Sequence, residues 1–165
     1  MTATWEDQLR ELVRARGPAL LRYAFVLCGD EVRAEDLVQS AITRTFARRS
    51  QLDDAEAYVR RAIMTGYLAE QRRSGLFRRR RGLVATPAAY ETTAMVEQRH
   101  DVMAALAVLS PQQRACVTLR YLCDQTIEEV ARTLGCSTGN VKRHLHDALV
   151  RLRVAMAPTE EHEHG

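Results

Sequence analysis

The sequence predicts an all-α protein built as two small helical domains joined by a flexible linker. Three observations carry that prediction. Apolar residues recur at three- and four-residue spacing through most of the chain, the signature of amphipathic helices. No stretch alternates apolar and polar residues between turn signals, as a half-buried strand would. The periodicity lapses once, from Gly82 to about Thr93, where Pro87 and small residues come after a block of arginines.

Three helices account for the first half. Leu9, Leu12, Val13, Leu20, Tyr23, Ala24 and Leu27 share one face, and Gly17-Pro18 is expected to break or kink that stretch. Gly29-Asp30 punctuates, with Asp30 placed to cap the second helix. From Ala34 to Arg48 the stripe is Leu37, Val38, Ala41, Ile42, Thr45 and Phe46, which leaves Glu35, Asp36, Gln39 and Arg44 outside it. Asp53-Asp54 opens a third helix through Ala55, Tyr58, Val59, Ala62, Ile63 and Leu68, expected to end at Gln71-Arg72-Arg73-Ser74-Gly75. Arg78 to Arg81 then complete six arginines in ten residues. Such a block is either a solvated basic turn or an electrostatic footprint for nucleic acid.

In the second half periodicity resumes from Val96 to Leu109. Ser110-Pro111 is a helix start, with serine as N-cap and proline at the first helical position, and the helix should run through Ala115, Val117, Leu119 and Tyr121. Thr126-Ile127-Glu128-Glu129 has the capping-box pattern and opens a short helix through Val130, Ala131 and Leu134. Gly135-Cys136 turns the chain, and Ser137 caps a last helix with Val141, Leu145, Ala148, Leu149 and Leu152 inward. A helix, a glycine-containing turn and a capped second helix make a helix-turn-helix unit. Its outward residues, Thr138, Asn140, Lys142, Arg143 and His146, are suited to phosphates and base edges. The domain limits are therefore 8–81 and 96–156, with a linker at 82–95 and a disordered tail at 157–165.

Composition narrows the function. The 165 residues carry a net charge of +3, and of the 24 basic residues only Lys142 is lysine. Arginine favours planar contacts to phosphate and carboxylate. The longest apolar run, Ala24 to Cys28, falls far short of the ~20 residues of a membrane span. The N-terminus lacks the basic start and apolar stretch of a signal peptide, so a cytoplasmic protein without a membrane partner is expected. Cys28, Cys116, Cys123 and Cys136 form no C-x-x-C pair and read as reduced, mostly buried thiols. There is no phosphate-cradling glycine loop, no H-E-x-x-H and no nucleophile elbow, so neither enzymatic activity nor a cofactor is expected. His162-Glu163-His164 has the donors for weak metal binding but reads as part of the disordered tail, and His100, His144 and His146 form no ligand set by spacing.

Three segments, in order and spread from about Leu9 to Arg153, carry a family resemblance: Ala34-Glu35-Asp36-Leu37-Val38-Gln39; Leu109 to Arg114 with Leu119-Arg120-Tyr121; and Thr126 to Ala131, continuing from Leu134 through Lys142 to Leu152-Arg153. With them the chain resembles the extracytoplasmic-function sigma factors of the sigma-70 family, in particular the small actinobacterial ones, which keep only regions two and four. The resemblance implies a factor that binds core RNA polymerase and directs promoter-specific initiation. It implies that Glu35, Asp36 and Gln39 dock on the β′ clamp helices, and that the second domain also meets the β flap. It implies that Arg60, Arg61, Arg72 and Arg73 hold −10 phosphates, while Tyr58 either packs in the core or stacks near the unpaired strand. Thr65 stands where the family usually has an asparagine for a flipped −10 base, and Ala69 where Asp or Asn is frequent. For −35, Ser137, Thr138 and Asn140 would hold backbone, while Lys142, Arg143 and His146 face the groove. Asp147 replaces a frequent arginine. Partners are thus core polymerase, promoter DNA and, as many relatives allow, an anti-sigma protein. The competing readings are a stand-alone helix-turn-helix regulator that binds operators without polymerase and a pure interaction module that no longer reads DNA.

Overall fold

The computed structural model describes residues 2–81 and 94–158, all of whose regular elements are helical. Contacts divide the chain into two compact units, Met1–Ala89 and Tyr90–Gly165.

The first unit packs α1 (Trp5–Cys28), α2 (Glu31–Thr45) and α3 (Ala55–Arg81) against one another. A reciprocal capping box between Thr4 and Asp7 starts α1, and Gly29, in the left-handed region at φ 71°, ends it. Asp30 then caps α2, its carboxylate accepting from the Arg33 amide at 2.9 Å. Leu20, Tyr23, Ala24 and Leu27 from α1 meet Leu37, Val38 and Ala41 from α2 and Val59, Ile63, Met64 and Tyr67 from α3 in a closed core. Gly66 marks a close approach: a Cβ there would stand 3.4 Å from Leu37 Cδ2.

Two expected breaks are absent. α1 runs unbroken through Gly17-Pro18. An internal proline costs roughly 3 kcal/mol, but both halves of α1 are anchored. Leu12 is buried before the proline and Leu20 to Leu27 after it, and the Gln8 amide donates to Leu52 O (2.7 Å) while accepting from Leu52 N (3.0 Å). Likewise α3 does not end at Gly75 but continues to Arg81. Glycine stops a helix by taking positive φ, and only Gly29 and Gly135 do so among the described glycines. Val13, expected on the core face, is 48% exposed.

The second unit comprises α4 (Ala94–Ala107), α5 (Pro111–Val117), a π-helical turn (Thr118–Leu122), α6 (Ile127–Leu134) and α7 (Thr138–Ala155). Ser110 with Gln113 and Thr126 with Glu129 form complete capping boxes, and Ser137 accepts from the Asn140 amide at 3.1 Å. Leu109, Ala115, Cys116, Leu119, Val130, Ala131, Val141, Leu145 and Ala148 fill the core. The helix expected through Tyr121 instead widens after Val117, where the Cys123 amide reaches back five residues to Thr118 O. That widening leaves Tyr121 59% exposed, and Leu149, expected inward, lies at the rim. Of the expected linker, Ala94 and Met95 open α4 and 82–93 lie outside the described residues, as do 159–165 of the expected tail.

Candidate functional site

Three helix faces combine exposure with chemistry. On α2 the buried stripe turns one side inward, and Glu35, Asp36 and Gln39 stand together on the opposite side, all exposed. Val32, a turn earlier on the same side, is 68% exposed. In the sequence it shows only as an apolar residue lying off the stripe. An apolar knob ringed by polar groups is the composition of a protein-docking face.

On α3 the exposed residues form a stripe: Tyr58, Arg61, Thr65 and Arg72, with half-buried Ala69 between the last two. The fourteen steps from Tyr58 to Arg72, at about 1.5 Å each, make it about 21 Å long. Tyr58 is half exposed, which removes it from the core and leaves its ring available for stacking. Thr65 Oγ1 donates to Arg61 O at 2.9 Å. Arg73, exposed beside the stripe, reaches only Ala69 O, at 3.5 Å.

Arg60 is engaged within the unit. It turns to the inner side, where its guanidinium meets Glu56 at 2.9 Å and lies 5.9 Å from the Tyr23 ring centroid. Glu56 also takes a two-pronged contact from Arg16 of α1, both bonds at 2.8 Å. The hydrogen bond from Arg16 chiefly holds the Glu56 carboxyl below the usual carboxylate range, with the charges of Arg60 and Arg16 assisting and burial and Asp54 opposing. Arg33 of α2 pairs with Glu70 of α3 at 3.1 Å. Arginines of this unit thus divide between holding helices together and facing outward.

The N-terminal half of α7 presents Thr138, Asn140, Lys142, Arg143 and His146, all exposed, with Val141 and Leu145 buried behind them. Ser137 caps the helix, so its oxygen accepts from the chain itself while its hydroxyl proton stays available. Asn140 Oδ1 accepts from the Arg143 guanidinium at 3.4 Å, a pairing that the sequence pattern does not foretell.

Cys116 is fully buried, and burial, with Cys136 nearby, pushes its thiol up to about 12. The other three cysteines are half-buried rather than buried, and all four are unbridged. Among the described residues no cluster of three metal-ligating side chains occurs, and no helix is long and apolar enough to cross a membrane.

Comparison with known proteins places this geometry. Residues 99–152 match the family model described as Sigma-70, region 4. The RNA polymerase sigma-E factor of Streptomyces coelicolor is 38% identical over 149 residues, covering 88% of this chain and 84% of that protein. The ECF RNA polymerase sigma factor SigL of Mycobacterium tuberculosis is 30% identical over 156 residues, covering 90% and 88%. Among solved structures, sigma factor RpoE of Bartonella quintana, determined with the anti-sigma factor NepR, superposes with a TM-score of 0.66 at 24% identity, covering 91% of this chain and 96% of that one. CnrH, determined with the cytosolic domain of CnrY, gives 0.62 at 20% identity, covering 90% and 87%. The structural matches show the fold, and the sequence relatives, aligned across both units, show the family. This chain belongs to the extracytoplasmic-function RNA polymerase sigma factors of the sigma-70 family.

Proposed function

We propose that the three exposed faces are the working surfaces of this sigma factor: α2 for core polymerase, α3 for the −10 element and α7 for the −35 element. Promoter-specific initiation with core RNA polymerase comes with the family. The residue roles are our reading of the faces. Glu35, Asp36 and Gln39, arranged about Val32, dock on the β′ clamp helices, and the second unit engages the β flap.

On α3, Arg61, Arg72 and Arg73 hold phosphates and Tyr58 stacks on an unpaired base. Stacking tolerates any base, and phosphate contacts fix register without reading sequence. Arg60 takes no part in DNA binding in this reading; it positions α3 through Glu56 and Tyr23. On α7, Lys142 and Arg143 reach the O6 and N7 acceptors of guanine in the major groove, His146 lies one turn further along, and Ser137 and Thr138 take adjacent phosphates. Asn140, besides contacting backbone, steadies the Arg143 guanidinium. A cytoplasmic location, the absence of catalytic activity and an anti-sigma partner belong to the same reading.

The observation that carries it is the alignment with sigma-factor relatives across 88% of the chain, which takes in the first unit as well as the helix-turn-helix. The test is run-off transcription with core polymerase on genomic promoter fragments, beside a pull-down of core enzyme by the Asp36→Ala, Gln39→Ala double variant. Transcripts that need this protein, and loss of core binding by the folded double variant, are expected. Operator binding without polymerase would favour a stand-alone regulator.

A further inference from the structure

Resting on the −35 reading of α7, we propose that DNA binding by this helix is proton-linked through His146. The ring meets a phosphate as an imidazolium, takes up its proton as the complex forms, and so strengthens promoter binding as pH falls. Thr138, Lys142 and His146 follow at four-residue intervals along one exposed ridge of α7, with Arg143 beside it. Lys142 and Arg143 keep their charge at any working pH. Imidazole is the side chain whose charge ordinarily changes between pH 5 and 8, so within this group His146 is the member able to switch.

Nothing in the described fold competes for the ring. Among the described residues His146 has no hydrogen bond or ion pair. The helices packed on α7 meet it from the other side, where Val141, Leu145 and Ala148 are buried. Arg114 of α5, Glu128, Glu129 and Arg132 of α6 and Asp101 of α4 do not pair with the ring. On α7 itself Lys142, Arg143 and Arg153 are exposed as it is, and Asp147, the next residue, makes no ion pair with it. His144 differs: it is half-buried, on the side of buried Val141 and Ala148. A recognition helix meets bases with its N-terminal residues, and His146 lies more than two turns past the Ser137 cap, a placement suited to the flanking backbone. An opposite charge close by favours the charged form of a titrating group, and duplex phosphates supply that charge only in the complex. By linkage, affinity then falls as pH rises through the imidazole range.

The test uses holoenzyme, assembled from the full chain and core polymerase, binding promoter duplex across a pH series. His146→Gln keeps whatever pH dependence the polymerase contributes. Beyond that background, wild type should bind about three- to ten-fold more tightly near pH 6 than near pH 8. Its slope of log K against log salt should also be steeper at the lower pH, by up to about 0.9. His146→Arg should bind tightly at both ends of the series, and His144→Gln should respond as wild type does. A His146→Gln variant that matches wild type in both readouts would overturn the inference, as would loss of the response in His144→Gln instead. In either case the −35 reading stands as long as Lys142→Ala and Arg143→Ala weaken binding at both pH values. If those two variants are neutral throughout, the −35 reading falls and this inference with it.

Discussion

Both units start helices with side-chain caps, and they differ in how much else ties the helices together. In the first, side chains also cross between elements: Arg16 of α1 reaches Glu56 of α3, Arg60 of α3 lies over the Tyr23 ring of α1, Arg33 of α2 reaches Glu70 of α3, and the Gln8 amide clasps the backbone of Leu52 ahead of α3. In the second, α5, α6 and α7 are started by the caps Ser110, Thr126 and Ser137, the first two closed into reciprocal boxes by Gln113 and Glu129. The difference bears on function. Where caps define the helices, Lys142 and Arg143 of α7 face outward, although Arg151 further along donates to Val108 O at 3.3 Å. Where arginines also brace the fold, the basic residues of α3 divide: Arg60 turns to Glu56 and Tyr23 while its neighbour Arg61 is exposed.

Substitutions can break this contrast at several strengths, ranked by their effect on folding. Ile63→Ala empties a fully buried site at the centre of the first unit. It should cost about 2–5 kcal/mol. Amide hydrogen exchange should show lost protection throughout α1, α2 and α3 and none lost in α5 to α7; a loss in both would mean that the units fold as one. Thr126→Ala removes the side-chain half of a capping box, the bond that Oγ1 accepts from the Glu129 amide at 3.2 Å, and should cost about 1 kcal/mol, seen as faster exchange across α6. No change there would show that packing of Val130 and Ala131, not capping, sets the short helix.

Glu56→Gln tests the bracing of the first unit through pH. The Glu56 carboxyl is held below its ordinary range mainly by the Arg16 hydrogen bond. A lowered folded-state pKa contributes stability that is complete above the unfolded value and lost as pH falls through the folded one. The wild type should therefore exceed the variant by up to about 1 kcal/mol at neutral pH. The gap in urea midpoint should close as pH drops through and below the carboxylate range. A constant gap would assign the pair no electrostatic role.

Legibility in the sequence divides along the same line. Caps are local, so Ser110, Thr126, Ser137 and Asp30 could be read as helix starts from neighbouring residues alone, and each caps in the structure. The outward faces of α2 and α7 came from period alone. What stays hidden depends on partners distant in sequence. Packing on both sides of Gly17-Pro18 carries α1 through that pair, and while Glu56, four residues before Arg60, is a local signal for an ion pair, the Tyr23 ring and Arg16 that complete the cluster come from α1. The π-helical turn is a third kind of miss, since a shift from four- to five-residue bonding leaves no mark in the apolar period.

The smallest effect on folding should come from Arg72→Gln with Arg73→Gln. Both side chains are exposed, and the one contact of Arg73, to Ala69 O, is long at 3.5 Å. Surface changes of this kind alter stability by within about 0.5 kcal/mol. If the exposed arginines of α3 serve DNA rather than the fold, their effect appears in the salt dependence of binding. Each phosphate contact that is lost should make the slope of log K against log salt shallower by about 0.9 on duplex and about 0.7 on a single strand. Holoenzyme binding to promoter DNA across a salt series checks this, and base preference should stay unchanged because phosphates carry no sequence. An unaltered slope with unaltered stability would leave this pair a solvated stretch of helix. A fall in stability with an unaltered slope would move both residues to the bracing class of Arg60, and the arginines of α3 would no longer divide between fold and DNA in the way their exposure suggests.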